Sequence, residues 1–125
     1  MGDLAEQTGR VALRHPHGHE LAAADTTAGW IFEKDLDGLG PANAVLALLD
    51  GPMVDDGTAC EIGIFYAQMQ SDPAKKGVIG LLTDLRGTRG ESNGLNLFVE
   101  GCIEAGGRVC GSLDEVVEVL AGWRD

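Results

Sequence analysis

The sequence is poor in basic residues, in cysteine and in long apolar runs. Its 9 Lys and Arg residues stand against 20 Asp and Glu residues, which gives a formal net charge of -11. A nucleic-acid backbone or an anionic membrane would repel such a chain, so neither is an expected partner. No apolar run approaches the length that spans a bilayer, and the start of the chain lacks a basic segment followed by an apolar one. We therefore expect a cytoplasmic protein.

The few cysteines suggest neither a disulfide framework nor a metal site. Cys60, Cys102 and Cys110 are odd in number and lack a C-x-x-C spacing, so neither disulfides nor a zinc site are predicted. We expect reduced thiols.

Three histidines alternate within residues 14–20, an arrangement that can converge on one metal ion. The interspersed Pro and Gly predict a turn, however, and no second cluster of ligands is evident. We expect a solvated loop here, no bound metal and no organic cofactor.

What the sequence does contain is a regular alternation of apolar runs of strand length with segments of helical spacing. It predicts strands at residues 10–13, 44–49, 78–82 and 108–110, and helices at residues 28–39, 58–70, 95–105 and 113–123. Such alternation forms a parallel sheet with right-handed crossovers. The 125 residues fit a single domain, residues 1–125. We expect a doubly wound α/β domain of four or five parallel strands in a three-layer α/β/α arrangement.

An acidic corner follows the second predicted strand. Residues 44–49 form a continuous apolar run, typical of a strand covered on both faces, and Asp50, Gly51 and Pro52 end it. In open parallel α/β sheets, ligands bind beyond the carboxyl ends of the strands. The segment from Asp50 to Glu61 is therefore the predicted functional edge.

The position of Glu61 has two interpretations. In the first turn of a helix at 58–70, the helix dipole and free N–H groups would favour its ionised form, the state that a carboxylate nucleophile needs. Thr58 to Glu61 also fits a capping box, in which a Glu bonds back to the cap residue. Asp55 and Asp56 can likewise be turn residues, since Asp is favoured where a chain leaves a strand. On spacing alone, the capping box is the better explanation.

Five ordered motifs favour the first interpretation. They are IFEKDL (31–36), LDGP (49–52), DDGTACEIG (55–63), GLLTD (80–84) and NLFVEG (96–101). Through them, residues 30–120 resemble the nucleoside 2-deoxyribosyltransferase family. The resemblance implies a flavodoxin-like (Rossmann-like) fold and a homo-oligomer. It also implies transfer of a 2-deoxyribosyl group between nucleobases.

The resemblance also implies roles for individual residues. By position, Glu61 is the nucleophile, and Asp55 and Asp35 recognise the nucleobase and assist its protonation. Asn96 corresponds to a residue that reaches the sugar or the nucleophile of a neighbouring subunit. Phe98 stands beside it and could touch a bound base, although packing is an alternative use.

Two further pairs are candidates for substrate binding. Gly51 and Pro52 belong to the corner where the substrate is expected. Arg86 and Arg89 lie in a Gly-rich segment, residues 83–94, that follows a strand. There they could hold a 5′-phosphate or form part of a lid. A solvated loop is an equally good explanation of this segment.

Residues 1–27 are atypical for the family. Its members open with an apolar strand, a Gly-containing loop and a helix before a strand similar to residues 11–13, and we expect this first unit to be missing here. In a flavodoxin-like order the first strand is central, so its loss would leave a gap in the sheet. Either residues 11–13 occupy that position, or a partner chain fills it, or the protein is a shortened relative.

The reaction that the resemblance implies begins with attack of Glu61 on C1′ of a 2′-deoxynucleoside. It passes through a covalent ester, which a second nucleobase attacks, so that two inversions give retention. The partners would be a nucleoside and a free nucleobase, as in purine salvage. The alternatives are an N-glycosidase that hydrolyses nucleosides or nucleoside 5′-monophosphates, and a non-catalytic nucleotide-binding relative.

Overall fold

The computed structural model describes residues 11–14, 27–83 and 94–124. The strands in these ranges are β1 (Val11–Arg14), β2 (Ala44–Leu48), β3 (Gly77–Leu81) and β4 (Arg108–Cys110). They form one parallel sheet in the order β1-β2-β3-β4. β3 is buried along its whole length, as expected of a continuous apolar run in a parallel sheet.

The helices in the same ranges are α1 (Ala28–Leu39), α2 (Asp56–Met69), α3 (Leu97–Glu104) and α4 (Leu113–Gly122). Each begins after a polar side chain that accepts a hydrogen bond from a backbone N–H of the first turn; these residues are Thr27, Asp55, Asn96 and Ser112. The ends of the helices and strands lie within two residues of the predicted ones. None of these four helices is long and apolar enough to cross a membrane.

The sheet lies between two layers of helices. The larger core cluster joins one face of the sheet to α1, α2 and α3, and includes Leu39, Val45, Phe65, Val78 and Ile103. The smaller cluster lies between the other face and α4, and includes Ile79, Leu81, Cys110 and Val116. Neighbouring strand residues alternate between the clusters, as the pleat of a strand requires. The predicted three-layer α/β fold is thus confirmed, and it is consistent with a flavodoxin-like domain.

The first strand pairs directly with the second. Val11 stands opposite Ala44 and Arg14 opposite Ala47 in the parallel register. The described sheet therefore has no gap between β1 and β2, which corresponds to the first of the three arrangements considered above. Residues 1–10 and 15–26 lie outside the described residues.

The connection between α2 and β3 contains a buried cation. Residues 71–76 are mostly polar, but Lys75 among them is only 8% exposed. Its Nζ donates hydrogen bonds to the carbonyl oxygens of Leu39, Gly40 and Ala42, at 3.0, 2.8 and 2.7 Å. Carbonyl groups at a helix C-terminus lack partners within the helix, so Lys75 caps α1 from a distant segment. Burial lowers the pKa of its ammonium group.

Candidate active site

The corner after β2 links the carboxyl ends of two strands. Asp50, two residues beyond β2, accepts hydrogen bonds from the backbone N–H and the hydroxyl group of Thr83, at 2.7 and 2.5 Å. Thr83 stands two residues beyond β3, so these bonds tie the two strand ends together. Gly51 then turns the chain with a φ of 125°, a conformation that glycine adopts without steric cost.

This corner borders a cavity of about 790 Å³. The rest of the lining comes from the beginning of α2 and from the segment around the beginning of α3. The described lining residues are Asp50, Gly51, Pro52, Met53, Val54, Asp55, Asp56, Ala59, Gly94, Asn96 and Val99. A cavity of this size suits a small-molecule ligand. It brings together four of the predicted site residues: Gly51, Pro52, Asp55 and Asn96.

Asp55 is the N-cap of α2. Its Oδ2 accepts hydrogen bonds from the backbone N–H of Thr58 at 3.2 Å and from the Thr58 hydroxyl at 3.5 Å. The helix therefore begins at Asp56, and Thr58 is buried in its first turn. The capping box expected between Thr58 and Glu61 is wrong, because Asp55 takes the capping position three residues earlier.

Glu61 lies in the second turn of α2, as its sixth residue. The prediction that it stands in the first turn is therefore wrong, and the helix dipole, whose effect is confined to that turn, does not account for its charge. Its exposed fraction is only 8%. An ion pair with Arg14 compensates this burial, with 3.5 Å between Arg14 Nε and Glu61 Oε2.

Arg14 is the last residue of β1, and its guanidinium group lies between α1 and α2. Besides the ion pair with Glu61, its Nη2 donates to the backbone carbonyl of Asp35 at 3.4 Å. A Cβ at Gly38 would collide with this guanidinium group, so the approach of Arg14 to α1 depends on a glycine there. Arg14 thus connects Glu61 to the backbone of Asp35, two predicted site residues from different helices.

The cavity and this charged cluster are joined by α2. Asp55 and Asp56 border the cavity at the start of the helix, and Glu61 follows about 9 Å further along the axis, at 1.5 Å per residue. Neither Glu61 nor Asp35 is among the described residues that line the cavity. The predicted site residues therefore form two groups: Asp55 lies at the cavity, whereas the Glu61 carboxylate and the backbone carbonyl of Asp35 contact Arg14.

Two further predicted site residues, Asn96 and Phe98, lie at the beginning of α3. Asn96 caps the helix, since its Oδ1 accepts from the backbone N–H groups of Phe98 at 2.8 Å and Val99 at 3.2 Å. The cap uses Oδ1, so the amide nitrogen is the end that could donate to a ligand. Phe98 is 81% exposed, which leaves its ring at the surface next to the cavity.

Two other predicted features lie outside the described residues: Arg86 with Arg89, and the histidines of residues 15–19. Among residues 11–14, 27–83 and 94–124, no group of three or more His, Cys, Asp or Glu side chains could hold a metal ion.

Sequence reasoning missed the role of Arg14. The residue follows three strand residues and precedes a His-rich stretch, and nothing in that neighbourhood points to a carboxylate on another helix. The one available signal was the position of Arg14 at the carboxyl end of a parallel strand, where ligands and their binding residues collect.

Comparisons with known proteins identify the family. The family model "Nucleoside 2-deoxyribosyltransferase" matches residues 4–99, well over half of the chain. A conserved protein from Enterococcus faecalis V583, known from its crystal structure, is similar with a TM-score of 0.65 and 28% sequence identity, over 84% of this chain and 72% of that chain. No curated protein matches the chain. The match to the family model shows that this chain belongs to the nucleoside 2-deoxyribosyltransferase family.

Proposed function

We propose that this protein transfers a 2-deoxyribosyl group between nucleobases, with Glu61 as the nucleophile. Membership of the family supports glycosyl transfer of this class. The observation that carries the role of Glu61 is its burial to 8% exposure beside Arg14. Glutamate is rarely buried unless it is paired, and a neighbouring cation favours the ionised form that attacks carbon.

In the first step, Glu61 attacks C1′ of a 2′-deoxynucleoside. The bond between C1′ and the base nitrogen breaks, and its electron pair leaves with the base. Asp55, which borders the cavity, hydrogen-bonds the base and assists its protonation, and Asp35 contributes from α1. The product is a deoxyribosyl ester of Glu61.

In the second step, a nitrogen of another nucleobase attacks C1′ from the opposite face. The ester bond breaks, its electron pair returns to Glu61 as a carboxylate, and the acceptor base gives up its proton to Asp55, which thereby recovers the proton that it supplied in the first step. Two inversions give overall retention at C1′, as in a retaining glycosidase. Neither step requires a metal ion or an organic cofactor. A reaction of this kind would serve purine salvage in the cytoplasm.

A neighbouring subunit is part of the proposal. The exposed side chains around the cavity include Met53 and Leu97, both 72% exposed, and Phe98 at 81%. Burial of such apolar surface favours association, so a second copy of the chain could cover this region. Asn96 would then donate its amide group to the site of that neighbour.

The test is an assay with deoxyinosine in the presence and absence of free adenine. Formation of deoxyadenosine shows transfer, whereas release of hypoxanthine that does not depend on adenine shows hydrolysis by water. Binding without turnover during long incubation would instead identify a non-catalytic relative.

The variant that tests the nucleophile is Glu61→Gln, which keeps the size of the side chain and removes its charge. We expect turnover to fall by at least about 1000-fold, because no ester can form. The matched control is Glu115→Gln, since Glu115 is also ion-paired, at 3.2 Å from Arg108, but lies on α4. A Glu61→Gln protein with wild-type turnover would exclude this mechanism.

A further inference from the structure

The ion pair between Arg14 and Glu61 should affect the two steps of the proposed reaction differently. Arg14 is held from three elements: it ends β1, its Nη2 contacts the Asp35 carbonyl of α1 at 3.4 Å, and its Nε lies 3.5 Å from Glu61 Oε2 of α2. Its side chain is only 14% exposed. The guanidinium group is therefore fixed beside the nucleophile and largely shielded from water.

Glu61 changes charge twice in each catalytic cycle. The free carboxylate is negative and forms an ion pair with Arg14, whereas the glycosyl ester is neutral and leaves the guanidinium charge without this anion. A buried charge that loses its partner is destabilised. Arg14 therefore disfavours the ester relative to the free carboxylate.

We propose that Arg14 is a positioning residue for the second half of the reaction, in which it stabilises the carboxylate of Glu61 as the leaving group. As the acceptor base attacks C1′, the bond between C1′ and the Glu61 oxygen breaks, and the electron pair moves to that oxygen. The growing negative charge approaches an arginine that is already in place, so no side chain has to reorganise. This inference rests on the proposed function of Glu61.

The same argument predicts opposite effects on the two steps. Removal of Arg14 weakens the leaving group in the second step. In the first step it makes ionisation of the buried Glu61 less favourable, but a Glu61 carboxylate that is ionised without Arg14 is no weaker as a nucleophile. An opposite charge within about 4–6 Å changes the ionisation equilibrium of a carboxylate by roughly 10- to 1000-fold. If about half of the corresponding free-energy difference is present in the transition state, the rate of the second step should fall by roughly 3- to 30-fold.

The experiment compares wild-type protein with Arg14→Met. Both are labelled with a 2-fluoro-arabinosyl nucleoside, which forms a slowly reacting adduct, and the adduct on Glu61 is followed by mass spectrometry. Adenine is then added, and the rate at which the adduct disappears is measured. Both rates are measured at a pH above which the labelling rate no longer rises, so that Glu61 is ionised in each protein. There we expect Arg14→Met to form the adduct at least as fast as wild type and to release it roughly 3- to 30-fold more slowly.

Three variants separate this role from a structural one. Arg14→Lys keeps the positive charge and should release the adduct at a rate close to that of wild type. Arg108→Met removes a second arginine of the described residues that pairs with a glutamate, Glu115, and should change neither rate. Arg14→Gln replaces Arg14→Met if the latter fails to fold, because a polar amide is better tolerated beside the Glu61 carboxylate and also removes the charge.

The outcomes are distinct. If wild-type protein forms no adduct on Glu61, the proposed function fails and the inference fails with it. If wild type forms the adduct, and Arg14→Met releases it as fast as wild type or slows both steps equally, the inference alone is overturned.

Discussion

At the residue scale, two cations among the described residues are largely shielded from solvent and paired with distant groups. Arg14 meets the carboxylate of Glu61, and Lys75 donates to three carbonyl groups around the end of α1. In each case a long cationic side chain from one segment contacts oxygen atoms of another segment. These contacts offset the free-energy cost of removing the charge from water. Single substitutions at these positions therefore leave polar partners without a donor.

Lys75→Met should destabilise the protein without changing the candidate site. The side chain keeps most of its apolar stem, but the carbonyl groups of Leu39, Gly40 and Ala42 lose the donor that lies 2.7–3.0 Å away. We expect the free energy of unfolding to fall by about 1–3 kcal/mol, measured by urea denaturation. Lys76→Met is the control, since Lys76 is exposed. Equal stability of the two variants would contradict the capping role of Lys75.

At the scale of elements, α2 combines a structural and a proposed catalytic role. Its N-cap, Asp55, borders the cavity, and its next turn carries Glu61. The same carboxylate that starts the helix would therefore face the nucleobase. A cap and a catalytic acid make different demands, because an amide oxygen can replace a carboxylate in the first role but not in the second.

Substitutions of Asp55 should separate these roles. Asp55→Asn keeps a good cap, so we expect its free energy of unfolding to stay within about 0.5 kcal/mol of wild type. Transfer should nevertheless fall roughly 100-fold or more, because proton transfer to the base is lost. Asp55→Ala should lose activity together with about 1 kcal/mol of stability.

The control for the Asp55 variants is Ser112→Ala, which removes the cap of α4. It should cost about 1 kcal/mol and leave transfer unchanged. Full transfer activity in Asp55→Asn would leave Asp55 with the capping role alone. Urea denaturation and the deoxyinosine assay provide the two measurements.

At the scale of the whole molecule, the sheet holds the cavity at the carboxyl ends of β2 and β3, and apolar side chains remain exposed beside it. A shared site in a homo-oligomer would place Asn96 of one chain next to Glu61 of another. Such an arrangement makes activity a property of the assembly, since neither chain alone supplies every group.

Mixing two inactive variants tests this arrangement. Asn96→Asp keeps the oxygen that caps α3 but removes the amide donor, and Glu61→Gln removes the nucleophile. After joint refolding, a dimer with one chain of each kind has one intact site, so a 1:1 mixture should recover about a quarter of the wild-type rate. The control mixture, Asp55→Asn with Glu61→Gln, should remain inactive. No recovery in the first mixture would assign each site to a single chain.

Local patterns were sufficient for much of the fold. Apolar residues at strand and helix periodicity located the elements to within two residues, because each period reflects one face of one element. The acidic segment after β2 was recognisable for a similar reason, since parallel strands direct their carboxyl ends to one edge of a sheet. The resemblance to the family then attached roles to Asp35, Asp55 and Glu61.

Other properties followed from contacts between residues that are distant in the chain. Arg14 pairs with Glu61, and Lys75 reaches the end of α1, across more than 30 residues in each case. Short-range spacing carries no information on such pairs, because it is the packing of helices on the sheet that brings the charges together and removes the water that would otherwise solvate them.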